Sequence, residues 1–136
     1  MVLDEARQQI LMFGGSTGLG FLNDTWAFLV PNVSLAPQTP TVASTSSIVT
    51  AQVTLLNNGN VPDTNVILST TTLGPATKIG GGFLANINPG ANGTFAVTFK
   101  KSDVGKGVLP LTFQGTYDAA GVTGIPWSIS YFVLVQ

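Results

Sequence analysis

Six carboxylates, five basic side chains and one glycine-rich loop carry most of the chemistry open to this 136-residue chain. The carboxylates are Asp4, Glu5, Asp24, Asp63, Asp103 and Asp118. A glycosidase needs two of them facing each other across a cleft, about 5 to 9 Å apart. No Asp-x-Asp spacing supplies such a pair, so only distant positions could form one. Each Asp lies in a turn-like context, where capping or solvent accounts for it. Asp63 or Asp118 with loop carbonyls would suit calcium, a hard cation that takes oxygen ligands. The chain has no Cys and no His. That removes disulfides, thiolate and imidazole metal centres, and Cys or His as nucleophile or base. The serines have no His partner, and no Gly-x-Ser-x-Gly elbow occurs. The expectation is a non-enzyme with no metal and no cofactor.

The glycine loop is Phe13-Gly14-Gly15-Ser16-Thr17-Gly18-Leu19-Gly20. Its Gly14, Gly18 and Gly20 spacing resembles the cofactor loop of short-chain dehydrogenases. Such a loop lets backbone N–H groups approach a pyrophosphate at a helix start. The following Phe21 to Val30 reads as a strand, not a helix, and no Tyr-x-x-x-Lys pair follows. Without its strand-and-helix context the pattern carries little.

Lys100, Lys101 and Lys106 form the only basic cluster and read as a solvated strand end and turn. Five basic residues in all argue against a nucleic-acid partner. Four aromatics are candidate interaction residues: Trp26, Phe28, Trp127 and Tyr131. Trp26 and Phe28 read as core or interface. Trp127 and Tyr131 share one face of a strand, as core first and as a sugar-stacking platform second. Asn23-Asp24-Thr25, Asn32-Val33-Ser34 and Asn92-Gly93-Thr94 match the glycosylation acceptor pattern.

The elements that must position these residues are strands. Charged residues make up only 8% of the chain, against about 25% usually. Polarity comes instead from 17 Thr, 9 Ser and 9 Asn. Thr favours strands, while the 16 Gly and 8 Pro favour turns. Val49, Ala51, Val53 and Leu55 alternate with polar neighbours, as do Phe95, Val97 and Phe99. Leu109, Leu111, Phe113 and Tyr117 share a face, with Pro110 predicting an edge strand or bulge. Trp127, Ile129, Tyr131, Val133 and Val135 share another. Leu73 to Gly82 reads as a loop, and Asn57 to Asn60 as a turn. No segment has a helical apolar period. The chain divides into a hairpin at 1–30, a Pro-rich linker or edge strand at 31–44, and a sandwich at 45–136. Apolar runs such as Ile10 to Phe13 and Tyr131 to Val135 are too short to span a bilayer. Asp4, Glu5 and Arg7 rule out a signal-peptide apolar region at the start.

Two resemblances follow from quoted residues. Asp4 to Phe28 resembles a single kelch repeat. The matching features are Ile10 to Phe13, Gly14-Gly15, the variable loop, then Leu22-Asn23-Asp24-Thr25-Trp26 and Phe28. In that family each repeat is one propeller blade, and a propeller needs about four to eight. One repeat implies only a β-hairpin with unpartnered faces. Kelch blades beside an immunoglobulin-like domain also occur in galactose-oxidase-like enzymes, whose copper requires His. From about Val33 the chain is similar to bacterial immunoglobulin-like surface modules of the abnormal-spindle/hydin or CARDB type. The residues are Val53 to Pro62, Ile87-Asn88-Pro89-Gly90 and Thr94 to Phe99.

The expected fold is therefore all-β: an immunoglobulin-like antiparallel β-sandwich with an N-terminal kelch-like β-hairpin. The expected function is a structural or adhesive module of a secreted or cell-surface protein. Its partners would be proteins or further copies of itself, with glycans a weaker option. The alternative is a filament subunit that assembles by strand addition through its N-terminal segment.

Overall fold

A computed structural model describes residues 2–7, 9–17 and 20–136, with the side chains of 16, 17, 21–24 and 26–29 outside that description. The chain forms two compact units, Met1–Asn32 and Val33–Gln136. Both are built of antiparallel sheet, so the molecule is all-β apart from one helical turn.

The first unit holds β1 (Val2–Asp4), β2 (Gln9–Thr17) and β3 (Gly20–Leu29), in the order β1-β2-β3. Asp4 closes the first turn: its carboxylate accepts from the Arg7 backbone N–H at 3.1 Å and from Nη1 at 2.8 Å. The register of β2 on β3 shifts after Phe13↔Thr25, resuming at Gly15↔Leu22. Gly14 takes φ 68° there, a left-handed conformation that a side chain disfavours. Among the described residues the glycine-rich segment is flanked by the antiparallel strands β2 and β3 and no helix follows it, while Gly18 and Leu19 lie outside the described residues.

The second unit holds β4 (Leu35–Pro37), β5 (Thr41–Ser44), β6 (Ile48–Asn57), β7 (Asp63–Leu73), β8 (Ala76–Ile87), β9 (Asn92–Lys100), α1 (Lys101–Val104), β10 (Gly107–Ala119) and β11 (Val122–Val135). One sheet runs β11-β10-β7-β8. In the other, β6 pairs with β9 on one side and with β4 and β5 in succession on the other. Alternation dictates which side chains are buried. Val49, Ala51, Val53 and Leu55 from β6 meet Phe95, Val97 and Phe99 from β9 in the core. Val66, Leu68, Leu73, Leu111, Phe113 and Trp127 reach it from the other sheet. The outward faces carry hydroxyl ladders in place of charges. Thr50 bonds Thr98 at 3.3 Å, Thr54 bonds Thr94 at 3.1 Å, and Thr112 bonds Ser130 at 3.0 Å.

Two expectations change. Leu73 to Gly82 is not a loop: Gly74 and Pro75 make a tight turn, and β8 starts at Ala76. Its glycines hide the strand because they form a bulge, where Gly80 has φ 75° and Gly81 φ 136°. A Cβ on Gly82 would overlap the ring of Phe95, so the bare backbone admits that ring to the core. Pro110 lies in β10, an inner strand. It is tolerated because β7 stops at Leu73, beside Leu111. The Pro110 carbonyl accepts from the Gly74 N–H at 2.9 Å, so its missing N–H faces the side where β7 has already turned away.

Candidate functional site

The strand β11 gathers most of what could interact. It is the last strand of its sheet and runs 14 residues without one charged side chain. Its first half is anchored. Trp127 is buried, its ring stacked parallel to Phe95 with centroids 6.1 Å apart. The indole crosses Gly115, and its Nε1–H donates to the Ile67 carbonyl of β7 at 3.2 Å. A Cβ at Gly115 would overlap both that carbonyl and the indole. Gly115 is therefore what allows Trp127 to reach across two strands. A shallow depression of about 430 Å³ lies outside this point, lined by Ser69, Gln114, Pro126 and Ser128 among others.

The second half of β11 is open on its outer face, while Val135 stays buried in the core. Phe132 and Leu134 point outward, 70% and 58% exposed. Their cross-strand neighbours on β10 are Pro110 and Val108, the latter 68% exposed. Together they make an apolar corner on the outer face. Tyr131, on the opposite face of the strand, is 49% exposed. Sequence reasoning placed Tyr131 among the candidates but not Phe132 or Leu134. The signal was present: Tyr131 to Val135 is apolar at every position, so both faces of this strand end are apolar. Trp26 lies opposite Met12 and Phe28 opposite Ile10 in the hairpin register. The side chains of Trp26 and Phe28 lie outside the described residues.

The carboxylates have separate tasks. Asp118 sits between two bulges, one on each neighbouring strand. It accepts from Asn65 Nδ2 at 2.8 Å and from the Gly124 N–H at 2.9 Å. The Asn65 bond, followed by that of Gly124, holds its carboxyl below the usual range. Asp103 accepts from the Ser102 hydroxyl at 3.3 Å. Asp63 breaks the expectation that every Asp is a solvated turn residue. It is the first residue of β7, fully buried, with neither carboxylate oxygen hydrogen-bonded. Burial pushes its pKa up to about 6. Burial also raises Tyr117, the charge of Asp63 adding to the effect, while a hydrogen bond from the Leu35 backbone opposes it.

The basic cluster is dispersed. Lys101 spends its ammonium on the Thr45 carbonyl at 3.0 Å. Lys100 lines a depression of about 330 Å³ with Lys78, Asp103 and Phe99, where Lys78 Nζ stands 5.8 Å from the Phe99 ring centre. Among the described residues, no three acidic side chains gather as a metal cluster. No described helix is long and apolar enough to cross a membrane.

No family model, curated protein or solved structure matches this chain. Function therefore rests on the chain's own geometry, and among the described residues the apolar corner beside the outer edge of β11 is one exposed apolar surface, with Ile67, Ile79 and Phe83 on β7 and β8 another.

Proposed function

We propose that this chain is a non-enzymatic structural or adhesive module of a secreted or cell-surface protein. In this proposal the second unit is an immunoglobulin-like β-sandwich and the first a kelch-like hairpin. The sheet orders support the sandwich. The chain changes sheet after β6, after β8 and after β9, as Greek-key connections do. The exposed corner of Val108, Pro110, Phe132 and Leu134 carries the functional reading, because a large exposed apolar patch marks a contact surface. The occupation of Asp118 in holding two bulges supports a structural role for that carboxylate. Low charge and hydroxyl-rich faces support the extracellular setting.

The test is a broad panel of hydrolase and transferase substrates, run on the intact chain and on Asp63→Asn and Asp118→Asn variants. No saturable turnover is expected. Turnover that either substitution abolishes would overturn the proposal.

A second reading is favoured by the first unit, where Val2, Leu3, Met12 and Phe13 are exposed apolar residues. Such a sheet can add strands to a neighbouring subunit and build a filament. Electron micrographs are expected to show filaments that Phe13→Lys dissolves. Filaments unaffected by that change would exclude this route.

A further inference from the structure

We infer that a second copy of this chain docks on β11, pairing edge to edge in antiparallel fashion about a twofold axis beside Val133. The inference goes beyond a general contact surface by naming the partner and the register, and it rests on the reading of the β11 corner as an interface.

A strand at the end of a sheet leaves a row of N–H and C=O groups unpaired, and proteins blunt such rows with charge, proline or bulges. On β11 these devices are confined to the first half. The register with β10 is irregular only between Tyr117 and Ala119, opposite the Val122 to Ile125 segment, and Pro126 follows it. From Trp127 to Val135 the pairing with β10 is unbroken. That stretch contains no proline, no bulge and no charge. No strand of the second unit is hydrogen-bonded beyond it, and β5 and β4 of the facing sheet approach it without pairing.

The lack of charge favours an uncharged occupant. The chain has no charged residue from Ala119 to Gln136, and none from Gly107 to Tyr117 on β10. Within that stretch a charged partner finds no counter-charge, and Lys106 lies just beyond the Gly107–Val135 pair. A twofold contact sets each surface against its own copy, which a charged strip would oppose and this strip does not. The surface is thus suited to an equally uncharged edge, and the second copy supplies one.

The register follows from the apolar positions. An axis beside Val133 sets Phe132 against Leu134 of the second copy on the outer face, while Val135 stays in its own core. Val108 and Pro110 then flank the joined cluster from each side. Residues 130–136 would pair over about 24 Å. An axis nearer the start of β11 would set Ser128 and Ser130 against Phe132 and Leu134. It would also draw Pro126, which has no N–H, into the new ladder.

The contact is small, in the class of weak interfaces below about 1,200 Å² in total. Sedimentation equilibrium of the intact chain is therefore run from about 10 µM to about 1 mM, a range that spans weak affinities. A monomer–dimer equilibrium is expected. Phe132→Lys and Leu134→Lys, both at exposed positions, are each expected to weaken it at least about tenfold, near 1.4 kcal/mol. Because the chain has no Cys, single-cysteine variants report contacts without background. Val133→Cys is expected to form a disulfide-linked dimer under mild oxidation, and Ser128→Cys is not. A strict monomer across the whole range would overturn the inference while leaving the non-enzymatic proposal to its turnover test. A dimer that survives Phe132→Lys and cross-links through Met12→Cys would also overturn it, in favour of the first unit.

Discussion

The two halves of β11 have the same backbone and opposite roles. Around Trp127 the strand is tied inward: an indole over Gly115, a hydrogen bond to β7, a ring stacked on Phe95 and a bulge held by Asp118. Around Phe132 and Leu134 it is regular, uncharged and apolar on its outer face. Strand length and propensity do not separate the halves. What separates them is where the protective irregularities fall. Stability should therefore respond to changes in the first half and at buried Val135, and association to changes on the outer face of the second.

The largest expected effect is Trp127→Ala. It empties a buried aromatic site and leaves Phe95 without its stacked partner, costing about 3 to 5 kcal/mol in denaturant unfolding. A loss below about 1 kcal/mol would show that the first half is not the anchor. Gly115→Ala is expected to cost about 3 kcal/mol by overpacking, because the new methyl competes with the Ile67 carbonyl and the indole.

Asp63 sharpens the contrast from inside the fold. The native carboxyl keeps its proton up to about pH 6, whereas an unfolded Asp releases it near pH 3.9. Between these values the native state binds more protons, so stability falls as pH rises from about 4 to about 6 and then levels off. A rise of about two pKa units at 1.36 kcal/mol each corresponds to a loss of roughly 3 kcal/mol. Asp118 acts in the opposite sense: its lowered pKa gives stability above its unfolded value, lost as pH falls through the folded one. Unfolding curves from pH 4 to pH 7 should show the decline in the parent chain and a flatter profile in Asp63→Asn. A parent chain as stable at pH 7 as at pH 4 would contradict the burial of a bare carboxyl.

Thr71 is fully buried and its hydroxyl has no hydrogen-bond partner. Thr71→Val keeps the shape and removes that group, so a gain of about 1 to 2 kcal/mol is expected. A destabilised variant would mean the hydroxyl is satisfied in solution. The smallest stability effect is at the open end. Phe132→Ser should change the stability of the dilute monomer by less than about 0.5 kcal/mol, as surface substitutions do.

Much of this fold is legible in the sequence. The alternation in Val49 to Leu55 and Phe95 to Phe99 is local, and each residue faces the core as its parity requires. The Asn57 to Asn60 turn is legible too. Asn57 is buried, and its amide Nδ2 donates to the Val61 and Ile87 carbonyls, each at 2.8 Å. Three features are hidden because they depend on distant neighbours. Pro110 reads as an edge signal until β7 is seen to stop at Leu73. The Gly80 to Gly82 run reads as a loop until Phe95 is placed over it. Asp63 reads as a solvated turn because nothing nearby in sequence reveals that it lies at the buried start of β7. The open corner was half legible. Tyr131 to Val135 breaks alternation, but only the sheet order shows that its outer face is exposed and its edge unpaired in the second unit.

The division of β11 is tested most directly by measuring mass and stability together on the parent chain and Phe132→Lys. Sedimentation equilibrium gives the mass up to about 1 mM, and thermal unfolding at a few µM gives the monomer's stability. Expected are a parent chain that dimerises, a variant that remains monomeric, and melting temperatures that agree at low concentration. A monomeric parent at every concentration, or a Phe132→Lys variant that dimerises as the parent does, would contradict it.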